Sequence, residues 1–200
     1  DSGARELEGL PSYVETELGP DIEETVVEEN GVRFFVPMGH GQKTGWFYDQ
    51  AYNRRALLKY VKGVRVLDVF SYLGAWGLAA AAAGASQVLC VDSSAPALEL
   101  LQRSAAANGL HNIRTERADA FDALAALREA GERFDVVIID PPAFIKRRKD
   151  IPKGQAAYRK LNQQAMQVLA RDGFLVSCSC SHHLGLDALK PFFQAASRTG

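Results

Sequence analysis

Val66-Leu67-Asp68-Val69-Phe70-Ser71-Tyr72-Leu73-Gly74-Ala75-Trp76-Gly77 is the stretch from which the rest of the chain is best read. An apolar run ends in an acid, turns through Ser-Tyr-Leu-Gly, and enters the alanine-rich Leu78–Ala83 with no intervening linker. Strand, tight turn and helix in that order are the unit of an α/β sheet. The same unit recurs downstream. Further strands are predicted at Gln87–Asp92, Ile113–Ala118, Phe134–Asp140 and Gly173–Ser181, and the first spans Val64–Phe70. Helices are expected near 75–83, 95–108, 120–130 and 155–170, with a last one over Asp187–Ser197. Strands that are apolar almost throughout are buried on both faces. The fold class is therefore α/β, a doubly wound, mostly parallel sheet.

Upstream, Glu24–Glu29, Asn30-Gly31 and Val32–Val36 read as a β-hairpin, because both turn residues tolerate the positive φ of a type I′ turn. Residues 1–38 are expected to form an N-terminal appendage and residues 39–200 the main domain, which opens with a helix over Asp49–Val61.

The 200 residues are 47% hydrophobic and 24% charged, enough for one full core. No apolar run reaches the ~20 residues of a membrane span, and Asp1-Ser2-Gly3-Ala4-Arg5-Glu6 lacks the features of a signal peptide, so the expected location is cytoplasmic with no membrane partner. Cys90, Cys178 and Cys180 each sit in β-like segments and read as thiols outside disulfides. The net charge of −1 hides a split. Residues 1–30 carry ten acids and one base; the remainder carries 22 bases and 14 acids. The densest basic stretch is Lys146-Arg147-Arg148-Lys149, followed by Lys153, Arg159 and Lys160, a composition that suits phosphate and equally a solvated face.

Ligands of such sheets bind beyond the carboxyl ends of the strands, where strand order reverses. Asp68, Asp92 and Asp119 stand at three successive ends. Gly74 allows close approach to the backbone, Asp92 lies where an acid binds both ribose hydroxyls, and Asp119-Ala120 could read an adenine edge. A single such acid is often only a helix cap. Ser71-Tyr72 replaces the first glycines of the dinucleotide fingerprint, which disfavours a pyrophosphate and hence an NAD enzyme. The fourth strand ends Asp140-Pro141-Pro142-Ala143-Phe144, a rigid extended wall suited to a planar base.

These residues carry a family resemblance. Asp68-x-Phe70-Ser71-Tyr72-x-Gly74, Val91-Asp92-x-Ser94, Asp140-Pro141-Pro142-x-Phe144 and the upstream Gly41-Gln42-Lys43-Thr44-Gly45-x-Phe47-x-Asp49-Gln50-x-x-Asn53-Arg54 resemble the RlmI-like family of class I ribosomal RNA cytosine-C5 methyltransferases, over roughly residues 26–190. The resemblance implies S-adenosyl-L-methionine as cofactor. It places Gln42, Lys43, Thr44 and Arg54 at the cofactor site beside Asp68, Phe70, Ser71, Tyr72, Gly74, Asp92, Ser93, Asp119, Ala120 and Asp140. It also implies an RNA substrate, and the rigid Pro141-Pro142-x-Phe144 wall, the basic Lys146 and Arg147, and His182 are the candidates to hold it. Family members usually carry an N-terminal RNA-binding PUA domain and a final antiparallel strand pair. Neither is evident, so the expectation is a fragment with an uncovered sheet edge, residues 1–38 being the remnant of a connecting domain. A homodimer is the protein assembly considered.

Carbon 5 of cytosine is a weak nucleophile, and its methylation requires a thiolate to add at carbon 6. By resemblance Cys180 holds that position, and it is also nearer the strand end than Cys178, which reads as core, as does Cys90. Asp140 is the partner of the base, and His182 a candidate for removing the carbon-5 proton. A zinc site from Cys178, Cys180, His182 and His183 is disfavoured by poor convergence along one strand, so no metal is expected. Two other functions are carried: methylation of a base nitrogen in guanine or adenine, for which acid-Pro-Pro-aromatic loops are typical, and a noncatalytic RNA-binding factor that keeps the cofactor fold.

Overall fold

The computed structural model describes Gly9, residues 23–38, residues 45–181 and Gly185. A hairpin of β1 (Glu24–Glu29) and β2 (Val32–Pro37) comes first. It closes through Asn30 and Gly31 at φ 52° and 77°, the conformation that the Asn-Gly pair predicts. Then follow α1 (Ala51–Leu57) with a 3₁₀ turn over Leu58–Tyr60, β3 (Arg65–Val69), α2 (Ala75–Ala82), β4 (Gln87–Asp92) and α3 (Ala95–Ala107). The remaining elements are β5 (Ile113–Arg117), α4 (Ala120–Glu129), β6 (Phe134–Ile139), α5 (Ile151–Gln167) and β7 (Leu169–Ser177).

The five strands after the hairpin form one sheet in the order β5-β4-β3-β6-β7, and every pairing is parallel. Strand order reverses between β3 and β6, so the crevice expected to take a ligand lies at the carboxyl tips of β3, β4 and β6. Alternate residues of the central strands serve two cores. Val66, Val88, Cys90, Val136 and Ile138 meet α1, α2, α3 and the hairpin; Leu67, Val69, Val91, Val137 and Ile139 meet α4 and α5. That alternation explains the near-continuous apolar strands.

The hairpin is welded to the first of these cores. Val32, Phe34 and Val36 are each 1% exposed, and burying them contributes about 1.5–3 kcal/mol apiece before ordering costs. The backbone N–H of Phe35 donates to Ser104 Oγ (3.0 Å) and that of Arg33 to Asn108 Oδ1 (3.0 Å), so α3 also supplies polar partners to β2.

Several elements differ from the sequence expectation: the helix expected over Asp49–Val61 is Ala51–Leu57 with a 3₁₀ turn, and the last strand ends at Ser177 rather than Ser181, so that Cys178 and Cys180 lie beyond it. The α5 helix begins at Ile151 rather than near 155, with Pro152 in its first turn where a missing N–H costs nothing. Strand β7 starts four residues earlier than Gly173, because Leu169 already pairs with Phe134. Between Phe134 and Val136 the register then shifts, so that Val136 faces Phe174. Asp172 takes up the bend at φ 62°, and at Gly173 an added Cβ would lie 2.8 Å from the Asp135 carbonyl oxygen. Gly173, expected as the start of the strand, lies at an irregularity inside it. The final helix expected over Asp187–Ser197 lies outside the described residues.

Candidate functional site

Valine and leucine carry β3 to its tip, where Asp68 is fully buried. Its Oδ2 accepts the Gly77 backbone N–H at 2.9 Å, which ties the strand end to the first turn of α2. Burial raises the carboxyl pKa to about 8, since desolvation outweighs the Gly77 hydrogen bond. Gly77 has to be glycine, because a Cβ there would run into Cys90 Sγ.

The turn that follows is strained. Phe70 and Tyr72 adopt φ 64° and 49°, values ordinarily left to glycine, and Gly74 adopts 77°. Each non-glycine residue of this kind costs about 1–3 kcal/mol and persists only where its surroundings hold it. Three bonds do so: Ser71 N–H to Val91 O (3.1 Å), Tyr72 N–H to Asp92 Oδ2 (2.8 Å) and Gly74 N–H to Ser71 O (2.8 Å). The turn thus keeps glycine-like geometry without the glycines of the fingerprint. Gly74 is required for a different reason from the one its position implied. A Cβ there would lie 2.6 Å from Leu101 Cγ, so its smallness serves the packing of α3 as well as the turn.

Asp92, at the tip of β4, accepts from Tyr72 N–H and, through Oδ1, from Ser94 N–H at 2.8 Å. Asp119 caps α4, accepting from the N–H groups of Phe121 (2.8 Å) and Asp122 (3.3 Å), the role in which a lone strand-end acid is most often found. Ala120 is buried beneath it, and Ser93 is exposed, its carbonyl taken by Arg117 Nε. Asp68 Oδ1 and Ser71 Oγ are buried with no hydrogen-bond partner among the described residues. A ligand bearing an ammonium group and hydroxyls would satisfy such atoms, and the donor set fits an adenosyl amino acid.

Asp140 closes the crevice from β6. Trp76 Nε1 donates to its Oδ2 at 3.0 Å, and its pKa is raised, chiefly by burial, with that Trp76 bond opposing the rise. Pro141 is buried and Pro142 exposed. Phe144 packs inward among Tyr158 (ring centroids 4.8 Å), Phe121 (6.3 Å) and Phe70 (6.4 Å), joining the loop after β6 to the tips of β3 and β5. Lys146 and Arg147 are exposed beyond it.

Past β7 the exposed Cys180 donates its thiol to the Pro141 carbonyl at 3.5 Å. The thiol expected to react and the acid expected to assist it therefore stand on adjoining strand tips. Next to it Ser181 is buried; its Oγ accepts the Ile145 N–H (3.1 Å) and lies 2.9 Å from the Tyr158 hydroxyl. Cys178 departs from the expectation that it is simply core. It packs against the core but is only partly buried, and its thiol is hydrogen-bonded to Asp140, its pKa pushed well up by burial and by the neighbouring acids. Cys90 is core, and none of the three cysteines is in a disulfide.

Arg54 is the clearest departure. It was expected to face the cofactor, yet it is 2% exposed and turned into the protein. Its Nε and Nη2 meet Glu29 at 2.6 and 2.8 Å, and Nη2 also donates to the Phe47 carbonyl (2.7 Å). The guanidinium carbon lies 5.4 Å from the Trp46 ring and 6.0 Å from that of Trp76. A buried guanidinium needs this many partners, and it joins the hairpin to the Trp76 that holds Asp140. Trp76 went unremarked as a site residue, although an indole in the first turn of an otherwise alanine-rich helix was the available signal, and Cys178 was read as core. Gln42, Lys43, Thr44 and His182 lie outside the described residues. Among the described residues there is no group of three or more metal-ligating side chains and no helix long and apolar enough to cross a membrane.

Comparison with known proteins agrees with this geometry. The chain is 42% identical over 184 residues to ribosomal RNA large subunit methyltransferase I of Photobacterium profundum, covering 90% of this chain and 46% of that protein. The protein of the same name from Aeromonas salmonicida is 40% identical over 184 residues with the same coverage. The chain thus spans about half the length of the curated relatives it matches. Among solved structures, one described as a methyltransferase complexed with SAH superposes with a TM-score of 0.79 at 27% identity, covering 94% of this chain and 50% of that one. Residues 11–196 match the family model for S-adenosylmethionine-dependent methyltransferases, and with its parallel sheet, strained first turn and acid-tipped strands the chain belongs to that family.

Proposed function

We propose that this chain is the catalytic part of an RNA methyltransferase that acts on carbon 5 of a cytosine, in the large ribosomal RNA, through a covalent adduct on Cys180. The observation that carries this reading is the meeting of an exposed thiol with the Asp140-Pro141 tip: Cys180 Sγ lies 3.5 Å from the Pro141 carbonyl, one residue beyond the carboxylate. A methyltransferase acting on a base nitrogen needs no thiol there. The relatives named as ribosomal RNA methyltransferases support the choice of RNA.

Asp92, the Ser71-Tyr72 turn and the buried oxygens of Asp68 and Ser71 would hold the cofactor, which would supply an electrophilic methyl group. The chain's own residues do the rest. The Cys180 thiolate adds to carbon 6 and pushes electron density toward carbon 5 and N3. Asp140, whose pKa burial raises, hydrogen-bonds N3 or the exocyclic amine as charge develops on the ring. After methyl transfer a base removes the carbon-5 proton and the carbon–sulfur bond breaks, which returns the thiolate. Pro141 and Pro142 wall the ring, and the base must be unstacked to reach them. Lys146 and Arg147 meet the phosphates on the open side.

Product analysis tests this reading. RNA methylated by the wild-type chain should carry 5-methylcytosine, and Cys180→Ala should lose at least ~10³-fold in rate while still binding S-adenosylhomocysteine. Retained transfer with the methyl group on nitrogen would replace this reading with that of a nitrogen methyltransferase.

A further inference from the structure

Helix α1 and the turn that leads into it present two unlike faces. Arg54, Leu57 and Val61 point inward and are buried; Tyr52, Arg55, Lys59 and Tyr60 are exposed. Tyr48 continues the outer row one turn earlier, where its carbonyl accepts the Ala51 N–H and opens the helix. The positions 48, 52, 55 and 59 recur at the spacing of one helical stripe, aromatic at one end and basic at the other.

Two features set this stripe apart from an ordinary solvated face. Every exposed large aromatic among the described residues lies within residues 47–60 or against them: Tyr48 is 69% and Tyr52 81% exposed, and Phe174 of β7 stacks on Tyr60 at 4.7 Å. Water-facing tyrosines at that exposure cost solubility and contribute nothing to the core, whereas they offer flat surfaces to a partner. The charge is also mostly of one sign. From Tyr48 to Gly63 the outward charges are three bases, Arg55, Lys59 and Lys62, against one exposed acid, Asp49, while Arg54 is buried and paired with Glu29.

The stripe also begins at the site. Phe47 meets the Tyr72 ring edge-on at 6.0 Å, and Tyr72 belongs to the strained turn that Asp92 holds. A strand of nucleic acid with one base in the crevice would leave that mouth across Tyr48 and Tyr52.

We propose that Tyr48, Tyr52, Arg55 and Lys59 form a track for the unpaired RNA that flanks the target base, the tyrosines stacking on bases and the two cations meeting phosphates. This rests on the RNA reading above and gives it a surface. Interleaved rings and cations are what single strands require, because every base has a π-face and every linkage a charge. The occupant is single-stranded: paired bases offer no faces to a ring. Stacking of this kind is sequence-tolerant, so the track contributes affinity and register and leaves the choice of base to the crevice.

The test is fluorescence anisotropy with a labelled single-stranded RNA oligonucleotide, and calorimetry with S-adenosylhomocysteine on the same protein. Tyr48→Ala/Tyr52→Ala should weaken RNA binding by about 10-fold or more, while Tyr48→Phe/Tyr52→Phe, which keeps the rings, should bind as wild type does. Arg55→Ala and Lys59→Ala should each lower the salt dependence of log K by about 0.7. S-adenosylhomocysteine affinity should be unchanged throughout. Wild-type RNA affinity in the double alanine variant, with cofactor affinity intact, would overturn the track and leave methyl transfer standing. A double variant whose oligomer mass falls while its RNA affinity holds would also overturn it, assigning the face to a second copy of the chain. Loss of methyl transfer to RNA by the wild type is a separate result that would strike the function and not this surface.

Discussion

The two rims of the crevice are held in place by different means. On the β3–β4 side the geometry is set by backbone N–H groups held at the strand tips: those of Ser71, Tyr72, Gly77 and Ser94 donate to Val91 O or to the carboxylates of Asp92 and Asp68. On the β6–β7 side it is written in side chains from distant elements. Trp76 of α2 holds Asp140, Tyr158 of α5 meets Ser181, and Ser181 in turn anchors Ile145 beside the Pro-Pro wall. A backbone-held rim is set as soon as the strands pair, and suits a cofactor that must be bound in one pose. A rim held by side chains can be loosened one contact at a time, so defects there should impair chemistry before they impair binding.

That contrast is sharpened first by Tyr158→Phe and Ser181→Ala. Each removes one hydroxyl from the bridge between α5, the loop after β6 and the segment carrying Cys180, and Phe at 158 keeps the packing against Phe144. The expected result is a fall in kcat of about 10-fold with KM for the cofactor unchanged, together with an altered rate of Cys180 alkylation by iodoacetamide. Thermal stability should drop by about 1 kcal/mol in Tyr158→Phe, which loses one buried hydrogen bond, and by about 2–3 kcal/mol in Ser181→Ala, which loses two and leaves the Ile145 N–H unpaired. A parallel rise in cofactor KM would mean that the two rims are mechanically one.

The same contrast decides what could be seen in the sequence. The parallel sheet was legible because its strands are apolar on both faces, and the hairpin because Asn30-Gly31 permits few other turns. The β3–β4 rim was legible because Asp68 runs straight into its turn and Asp92 ends the next strand in the chain. Even there the positive φ of Phe70 and Tyr72 left no trace, since only a tertiary lock makes such values tolerable. The β6–β7 rim was legible in its members, Asp140 and Cys180, but not in its supports: nothing local to Trp76, Tyr158 or Ser181 tells which distant group each will meet. Arg54 shows the converse. A basic residue in a motif read as a cofactor contact was drawn instead to Glu29, 25 residues earlier, by a pairing that only the fold brings about. Gly173 was read as the start of the last strand, and nothing local shows that the strand begins four residues earlier and bends there.

A further prediction concerns the pH dependence of stability and rests on Asp68. Its carboxyl is held at about 8 in the folded chain against 3.8 ordinarily, so between those values the native state keeps a proton that the unfolded state gives up. Stability should therefore be fully present below about pH 4 and decline as pH rises toward 8, the native state binding more protons across that window. Asp68→Asn removes the titration. Denaturant midpoints between about pH 5 and pH 8 should fall in the wild type and fall less in the variant; equal slopes would contradict the burial argument.

The claim on which the mechanism turns is that the thiol of Cys180 reaches the ring of the target base. RNA containing 5-fluorocytosine tests it directly, because a fluorine at carbon 5 cannot leave as a proton does, and a carbon–sulfur adduct once methylated stays in place. With S-adenosylmethionine present, a covalent protein–RNA complex should accumulate, and peptide mapping should put the nucleotide on Cys180. Absence of any adduct in a preparation that methylates unmodified RNA, or an adduct mapped to Cys178, would contradict the account.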